Sequence, residues 1–175
     1  MIADDHLRAL AEDALARCRR AGLTIATAES CTGGLVAAAL TAIAGASDVF
    51  ERGYITYSNA AKTELLAVPE ALLETVGAVS EEVAIAMAEG ALAQAQVQMA
   101  VAVTGIAGPG GGSLSKPVGL VHLAVARAGL PIRPPVRPLV RHERCVFEGD
   151  RDAIRNAAAT VALRLLAHSA ADIPG

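Results

Sequence analysis

Three residues set well apart in the chain have the types needed for nucleophilic chemistry: Ser30, Tyr57 and Lys62. A serine hydroxyl attacks only when a base takes its proton, and among the bases available the lysines stand out. The chain has two, Lys62 and Lys116, against 13 arginines. Arginine supplies the positive charge here, so a retained lysine points to something arginine cannot do. A desolvated lysine can lose its proton, whereas a guanidinium stays charged. To act as a base at neutral pH, the amine must fall roughly three units from about 10.4, which is ~4 kcal/mol of differential solvation. Lys62 falls near the start of a short helix, where the helix dipole disfavours a cation. Tyr57, at a strand end, could relay or steady the proton between Ser30 and Lys62. The plainer alternatives are a helix cap for Ser30, a core-packing tyrosine and a solvated lysine.

Cys31 is the rival nucleophile beside Ser30. With no histidine partner in the sequence nearby, it reads as a small buried residue. The second binding element is GIAGPGGG, residues 105–112. Its glycines let successive backbone N–H groups converge on an anion, and Lys116 could add a point charge. Arg151 and Arg155 are further phosphate partners to weigh, with solvated side chains as the default. Several signatures are absent: a G-x-S-x-G elbow, an H-x-x-x-H pair and a P-loop. The glycine spacing GxxGxGG is not the dinucleotide fingerprint. The four histidines (His6, His122, His142, His168) are scattered and read as surface or sheet-face residues.

These residues need a scaffold. The stretch TIATAESCTGG, residues 24–34, reads as a buried strand (24–28), a polar turn and a glycine pair opening an Ala-rich helix over 35–44. Before it, a helix runs from Asp4 or Asp5 to about Arg20 and ends at Gly22. After it, RGYITY (52–57) alternates as strand two. Ser58 caps a helix over 60–67, Pro69 starts a short helix ending near Gly77, and Ser80 starts one to about Gln96. MAVAVT (99–104) is an unbroken apolar run, hence a central strand. Strands four (118–127) and five (139–147) flank a connector dense in Pro and Arg, 129–138. With no helix between them they pair antiparallel. Asp150 caps a last helix from Asp152 to about His168. The order predicts one domain over 1–175, an α/β fold of the three-layer α/β/α sandwich type with a mixed sheet.

Composition narrows the partners. Net charge −3, with two Tyr, two Phe and no Trp, argues against nucleic-acid binding and for a small, locally held, anionic ligand. Hydrophobic content is 53% and mean hydropathy +0.43, largely from alanine, and no apolar run is long enough for a membrane span. The first ten residues lack the features of a signal peptide, and three cysteines without metal-like spacing suit a reducing compartment, so the expected location is cytoplasmic. The Ala-rich helices suit packing within the fold or between copies of the chain, which leaves a homo-oligomer open.

Together the motifs resemble the CinA C-terminal domain family, that of the nicotinamide-nucleotide amidohydrolases. They are AESCTGG (28–34), FERGYITYSNAAK (50–62), GAVSE (77–81), TGIAGPGGG (104–112), KPVG (116–119) and GDRD (149–152). The resemblance covers nearly the whole chain, and it is the stand-alone form of the family that is resembled. It implies hydrolysis of the carboxamide of nicotinamide mononucleotide to nicotinate mononucleotide and ammonia, in pyridine-nucleotide salvage. It also implies a Ser–Tyr–Lys set, supplied here by Ser30, Tyr57 and Lys62, and a mixed five-stranded sheet. No metal or organic cofactor is implied. The expected substrate-binding residues are Glu29, Cys31, Thr32, Gly33, Gly34, Thr104, Gly105, Gly108, Gly111, Gly112 and Lys116. A different class of function stands as the alternative: a non-catalytic nucleotide-binding regulatory module of the competence- or damage-inducible type. Residues 128–142 look lengthened relative to the family's usual short turn, which puts the geometry between strands four and five at issue.

Overall fold

A computed structural model describes residues 5–129 and 138–171. Its centre is β3 (Met99–Gly105), buried along all but its last residue, as the unbroken apolar run requires. β1 (Ile25–Glu29), buried throughout, lies parallel to it, and β2 (Phe50–Ile55) lies parallel to β1 on the outside. β4 (Leu120–Arg127) and β5 (Leu139–Val146) complete the sheet as successive antiparallel neighbours, in the order β2-β1-β3-β4-β5. The expected antiparallel pairing of strands four and five therefore holds, from Leu120 opposite Val146 to Arg127 opposite Leu139. Residues 130–137 of the Pro-rich connector lie outside the described residues.

Among the described residues, six α-helices flank this mixed five-stranded sheet, giving the expected three-layer sandwich. On one face lie α1 (Asp5–Arg20), α2 (Leu35–Thr41) and α6 (Arg151–Ala171), packed on Ile25, Val101, Val103, Leu123 and Val125. On the other lie α3 (Asn59–Leu66), α4 (Glu70–Val76) and α5 (Glu81–Ala95). The strand residues facing this second layer are largely alanines: Ala26, Ala28, Ala100, Ala102, Ala124 and Ala126. Strand alternation thus divides large side chains to one face and small ones to the other. α5 answers with its own alanines, and at Gly90 it meets the Leu66 carbonyl of α3, where a Cβ would overlap that oxygen.

The capping serines work as their sequences predict. Ser58 Oγ accepts the Ala61 N–H at 3.0 Å, and Ser80 Oγ accepts the Val83 N–H at 3.3 Å. The Asp150 side chain likewise accepts the Ala153 N–H at 2.9 Å. Several boundaries differ from expectation: β4 starts at Leu120 rather than at 118, and α6 runs on to Ala171. α2 stops at Thr41, and a 3-10 turn (Ala46–Asp48) follows Gly45. β2 runs over Phe50–Ile55 rather than 52–57, because the Thr56 N–H makes the last contact with β1, to the Glu29 carbonyl, and Tyr57 turns outward.

Candidate active site

Ser30 ends β1, where its N–H donates to the Val103 carbonyl at 2.9 Å and fixes it beside β3. Its side chain is brought to the sheet's rim, nearly buried at 9% exposure. Lys62 arrives from the other direction. The Ser58 cap starts α3, and the fourth residue of that helix turns inward, 1% exposed, the largest fully buried side chain described. Its Nζ donates to the Thr56 carbonyl at 2.7 Å and lies 3.1 Å from Ser30 Oγ. Burial lowers the Lys62 pKa from the ordinary lysine value; the smaller opposing influence is Cys31. Among the described residues no carboxylate forms an ion pair with Lys62, so nothing anionic holds the proton on. An amine whose burial disfavours its charged form touches a serine hydroxyl, which is the arrangement a nucleophile and its base require.

Cys31 is 6% exposed, and burial pushes its thiol up to about 11. It is therefore a thiol at neutral pH, not a competing thiolate. At the same corner the Gly33 N–H donates to the Ser30 carbonyl and the Gly34 N–H to the Glu29 carboxylate. The N–H groups of Cys31 and Thr32 also lie beside Ser30, with the Cys31 sulfur as their acceptor inside the chain.

A cavity of about 290 Å³ opens onto the pair. Of the expected substrate-binding residues, Cys31, Thr104, Gly105, Gly108 and Gly111 line it. Among the described residues, the N–H groups of Gly108, Gly110 and Gly111 donate to nothing in the chain. A larger cleft, about 470 Å³, lies between β5 and α6, lined by Arg141, Glu143 and His168 among others. It holds no hydroxyl or amine paired as Ser30 and Lys62 are, so the smaller cavity is the candidate site.

Several expectations need correcting. The Tyr57 hydroxyl bonds to neither Ser30 nor Lys62. The residue is 61% exposed at the rim of the cavity, where its oxygen accepts from Arg151 Nη2 at 2.7 Å. The cause is alternation: Thr56 takes the inward position, leaving Tyr57 outside. Lys116 does not reach the cavity, because its Nζ donates to the Val76 carbonyl at the end of α4, at 2.6 Å. Glu29, Thr32, Gly33, Gly34 and Gly112 also lie off the cavity wall. Glu29 accepts backbone N–H groups of α2, and the Thr32 carbonyl accepts Arg155 Nη2 at 2.9 Å.

Arg151 matters more than its sequence suggested. From the first position of α6 it donates through Nη1 to the Gly108 carbonyl at 2.8 Å and through Nη2 to Tyr57, bridging two rims of the cavity. Asn59, Ala78 and Val79 also line the wall, together with Ile106, Ala107 and Gly110 of the glycine-rich loop. For Arg151 and Asn59 the available signal was their place inside the GDRD and FERGYITYSNAAK motifs. Among the described residues no three His, Cys, Asp or Glu side chains group as metal ligands, and no helix is long and apolar enough to cross a membrane.

Comparison with known proteins places the chain among relatives. The family model described as the CinA C-terminal domain matches residues 7–170. The nicotinamide-nucleotide amidohydrolase PncC of Escherichia coli (strain K12) is 47% identical over 163 residues, covering 93% of this chain and 94% of that one. A CinA-like protein of Syntrophobacter fumaroxidans is 51% identical over 150 residues, 86% of this chain but 33% of that protein. The chain thus spans about a third of the length of the CinA-like relatives it matches. Among solved structures, the competence/damage inducible protein CihA of Agrobacterium tumefaciens superposes with a TM-score of 0.85 at 46% identity, covering 93% of this chain and 94% of that one. A CinA superfamily protein of Klebsiella pneumoniae, KP700603, gives 0.87 at 32% identity, covering 95% and 99%.

Proposed function

The chain belongs to the CinA C-terminal domain family, and from that premise we propose that it hydrolyses the carboxamide of nicotinamide mononucleotide, giving nicotinate mononucleotide and ammonia. The observation that carries this reading is the 3.1 Å contact of Lys62 Nζ with Ser30 Oγ inside the chain. The relative whose name states that activity matches over nearly its full length, which supports the choice of substrate class.

Neutral Lys62 takes the Ser30 proton as Oγ bonds to the amide carbon. The carbonyl oxygen, now negative, meets the N–H groups of Cys31 and Thr32; one such donor is typically worth about 2.7–4 kcal/mol. The carbon–nitrogen bond breaks, the Lys62 ammonium returns its proton to the leaving nitrogen, and ammonia departs from an acyl-serine. Water then adds to the ester with Lys62 again the base, releasing the acid and restoring Ser30. The phosphate rests on the free N–H groups of the Gly108–Gly111 loop with Arg151 beside it. Tyr57, held by Arg151, bears on the substrate at the rim. The proposal needs no metal or organic cofactor. It treats the chain as one domain acting in the cytoplasm, in keeping with three free cysteines.

The test is ammonia release from nicotinamide mononucleotide by the wild-type chain. Ser30→Ala is expected to abolish release, by about a thousandfold or more, while calorimetry still detects nucleotide binding. A wild-type chain that binds the nucleotide and releases no ammonia would instead be the regulatory module.

A further inference from the structure

Glu29 stands next to the nucleophile, and its side chain is 1% exposed. Its carboxylate accepts three backbone N–H groups, from Gly34 at 3.0 Å, Val36 at 3.1 Å and Ala37 at 2.8 Å. A carboxylate this deeply buried ordinarily calls for a cation. Among the described residues it has none, and the start of α2 satisfies it instead. With its oxygens committed to these donors, and no place on the cavity wall, Glu29 is not available to a substrate.

The main chain of Glu29 is equally engaged. Its carbonyl accepts the Thr56 N–H at 2.8 Å. The Thr56 carbonyl accepts Lys62 Nζ at 2.7 Å, and Lys62 Nζ meets Ser30 Oγ at 3.1 Å. These three contacts close a ring through the Glu29–Ser30 peptide bond. The ring fixes where the base stands. It does not reach the turn after Ser30, which carries the Cys31 and Thr32 N–H groups. That turn is closed locally by the Gly33 N–H on the Ser30 carbonyl and held from α6 by Arg155 on the Thr32 carbonyl, and the Glu29 carboxylate adds the link that ties the first turn of α2 back to the end of β1.

We propose that Glu29 is a positioning residue for the proposed amide hydrolysis: its buried carboxylate sets the direction of Ser30 Oγ and of the oxyanion donors at Cys31 and Thr32. The inference rests on the reading of Ser30 as nucleophile. Glu29→Gln keeps the size but turns an NH2 group toward N–H donors that need an acceptor. Glu29→Asp keeps the charge and withdraws it by one methylene.

Both variants are measured for ammonia release from nicotinamide mononucleotide and for Ser30 labelling by a fluorophosphonate, with circular dichroism and melting to establish folding. In Glu29→Gln, kcat is expected to fall about tenfold or more, with KM within about twofold of wild type, an unmoved pH profile and slower labelling in parallel. Glu29→Asp is expected to show the same split to a smaller extent. Unchanged kcat and labelling in a folded Glu29→Gln would overturn the proposal, as would a loss carried by KM alone. Failure of both variants to fold overturns it too, since the residue would then be holding the fold rather than aiming the serine. If the wild type labels at Ser30 without releasing ammonia, the substrate reading is wrong and the labelling rates alone decide the role of Glu29. A wild type that does neither refutes both.

Discussion

Lys62 Nζ lies 3.1 Å from Ser30 Oγ across a sequence separation of 32. β1 supplies one partner and α3 the other, and the carbonyl of Thr56 holds the amine between them. Since burial is the leading influence on that amine, its chemistry is set by the packing of α3 on α5 and not by a neighbouring charge.

Lys62→Arg is therefore expected to lower kcat about a hundredfold or more, because a guanidinium cannot give up its proton. Ammonia release measures this, and retention of most of the turnover would remove Lys62 from the role of base.

The pH dependence has a defined sign. A base must be unprotonated, so kcat/KM rises with pH through the Lys62 pKa and levels off below the pH an ordinary lysine would need. In stability the same lowered pKa acts in parallel. The unfolded chain keeps its Lys62 proton up to about 10.5 while the folded chain releases it earlier. Between those two values stability rises with pH; the contribution is complete above the unfolded value and is lost as pH falls through the folded one. A kcat/KM profile with its midpoint at or above 10.5 would contradict this.

Arg151→Lys is expected to raise KM for nicotinamide mononucleotide about tenfold with a smaller change in kcat. The planar fork that reaches Gly108 and Tyr57 together would be replaced by a single ammonium. Steady-state kinetics separate the two parameters, and an unchanged KM would place the substrate anion elsewhere.

Gly90→Ala is expected to cost about 1–3 kcal/mol of stability, read by thermal or urea unfolding. The added methyl would press on the Leu66 carbonyl and push α3 away from α5. Because α3 carries Lys62, turnover should fall in the folded fraction as well. A variant as stable and as active as wild type would show that the two helices have slack.

His122, 8% exposed, stacks on His142 with ring centroids 5.2 Å apart and their nitrogens 2.9 Å apart. Burial, then His142 and Arg144, lower the His122 pKa, with Lys116 acting the same way and Glu81 opposing. The unfolded chain thus takes up a proton before the folded one does. Stability is expected to be complete above about pH 6.5 and to decline below it, by up to about 1.4 kcal/mol per pH unit for one proton. Urea midpoints between pH 7.5 and 5 test this, and His122→Asn should flatten the slope.

Much of this was legible in the chain and some could not be. MAVAVT has the unbroken apolarity of a strand covered on both faces, and β3 is that strand. Ser58 and Ser80 cap helices because a short hydroxyl ahead of a helical run has one local use. Such features depend on neighbours in sequence. Glu29 does not: a carboxylate in a polar turn reads as a ligand-binding group until α2 returns three N–H groups to it. The end of β2 was misplaced because RGYITY alternates through Tyr57, while the contacts with β1 end at Thr56. The histidine pair was unreadable for the same reason, as it requires β4 and β5 in register.

Both lysines of the chain are turned inward, Lys62 onto Thr56 and Ser30, Lys116 onto the end of α4. Of the two side-chain amines, half-buried Lys116 should therefore react slowly in the folded molecule and Lys62 hardly at all. A succinimidyl dye would reach Lys62 only after unfolding, and a lysine-specific protease would cut beside it only then. Modification of Lys62 then becomes a clock for the opening of the interior, readable by mass spectrometry at a single residue.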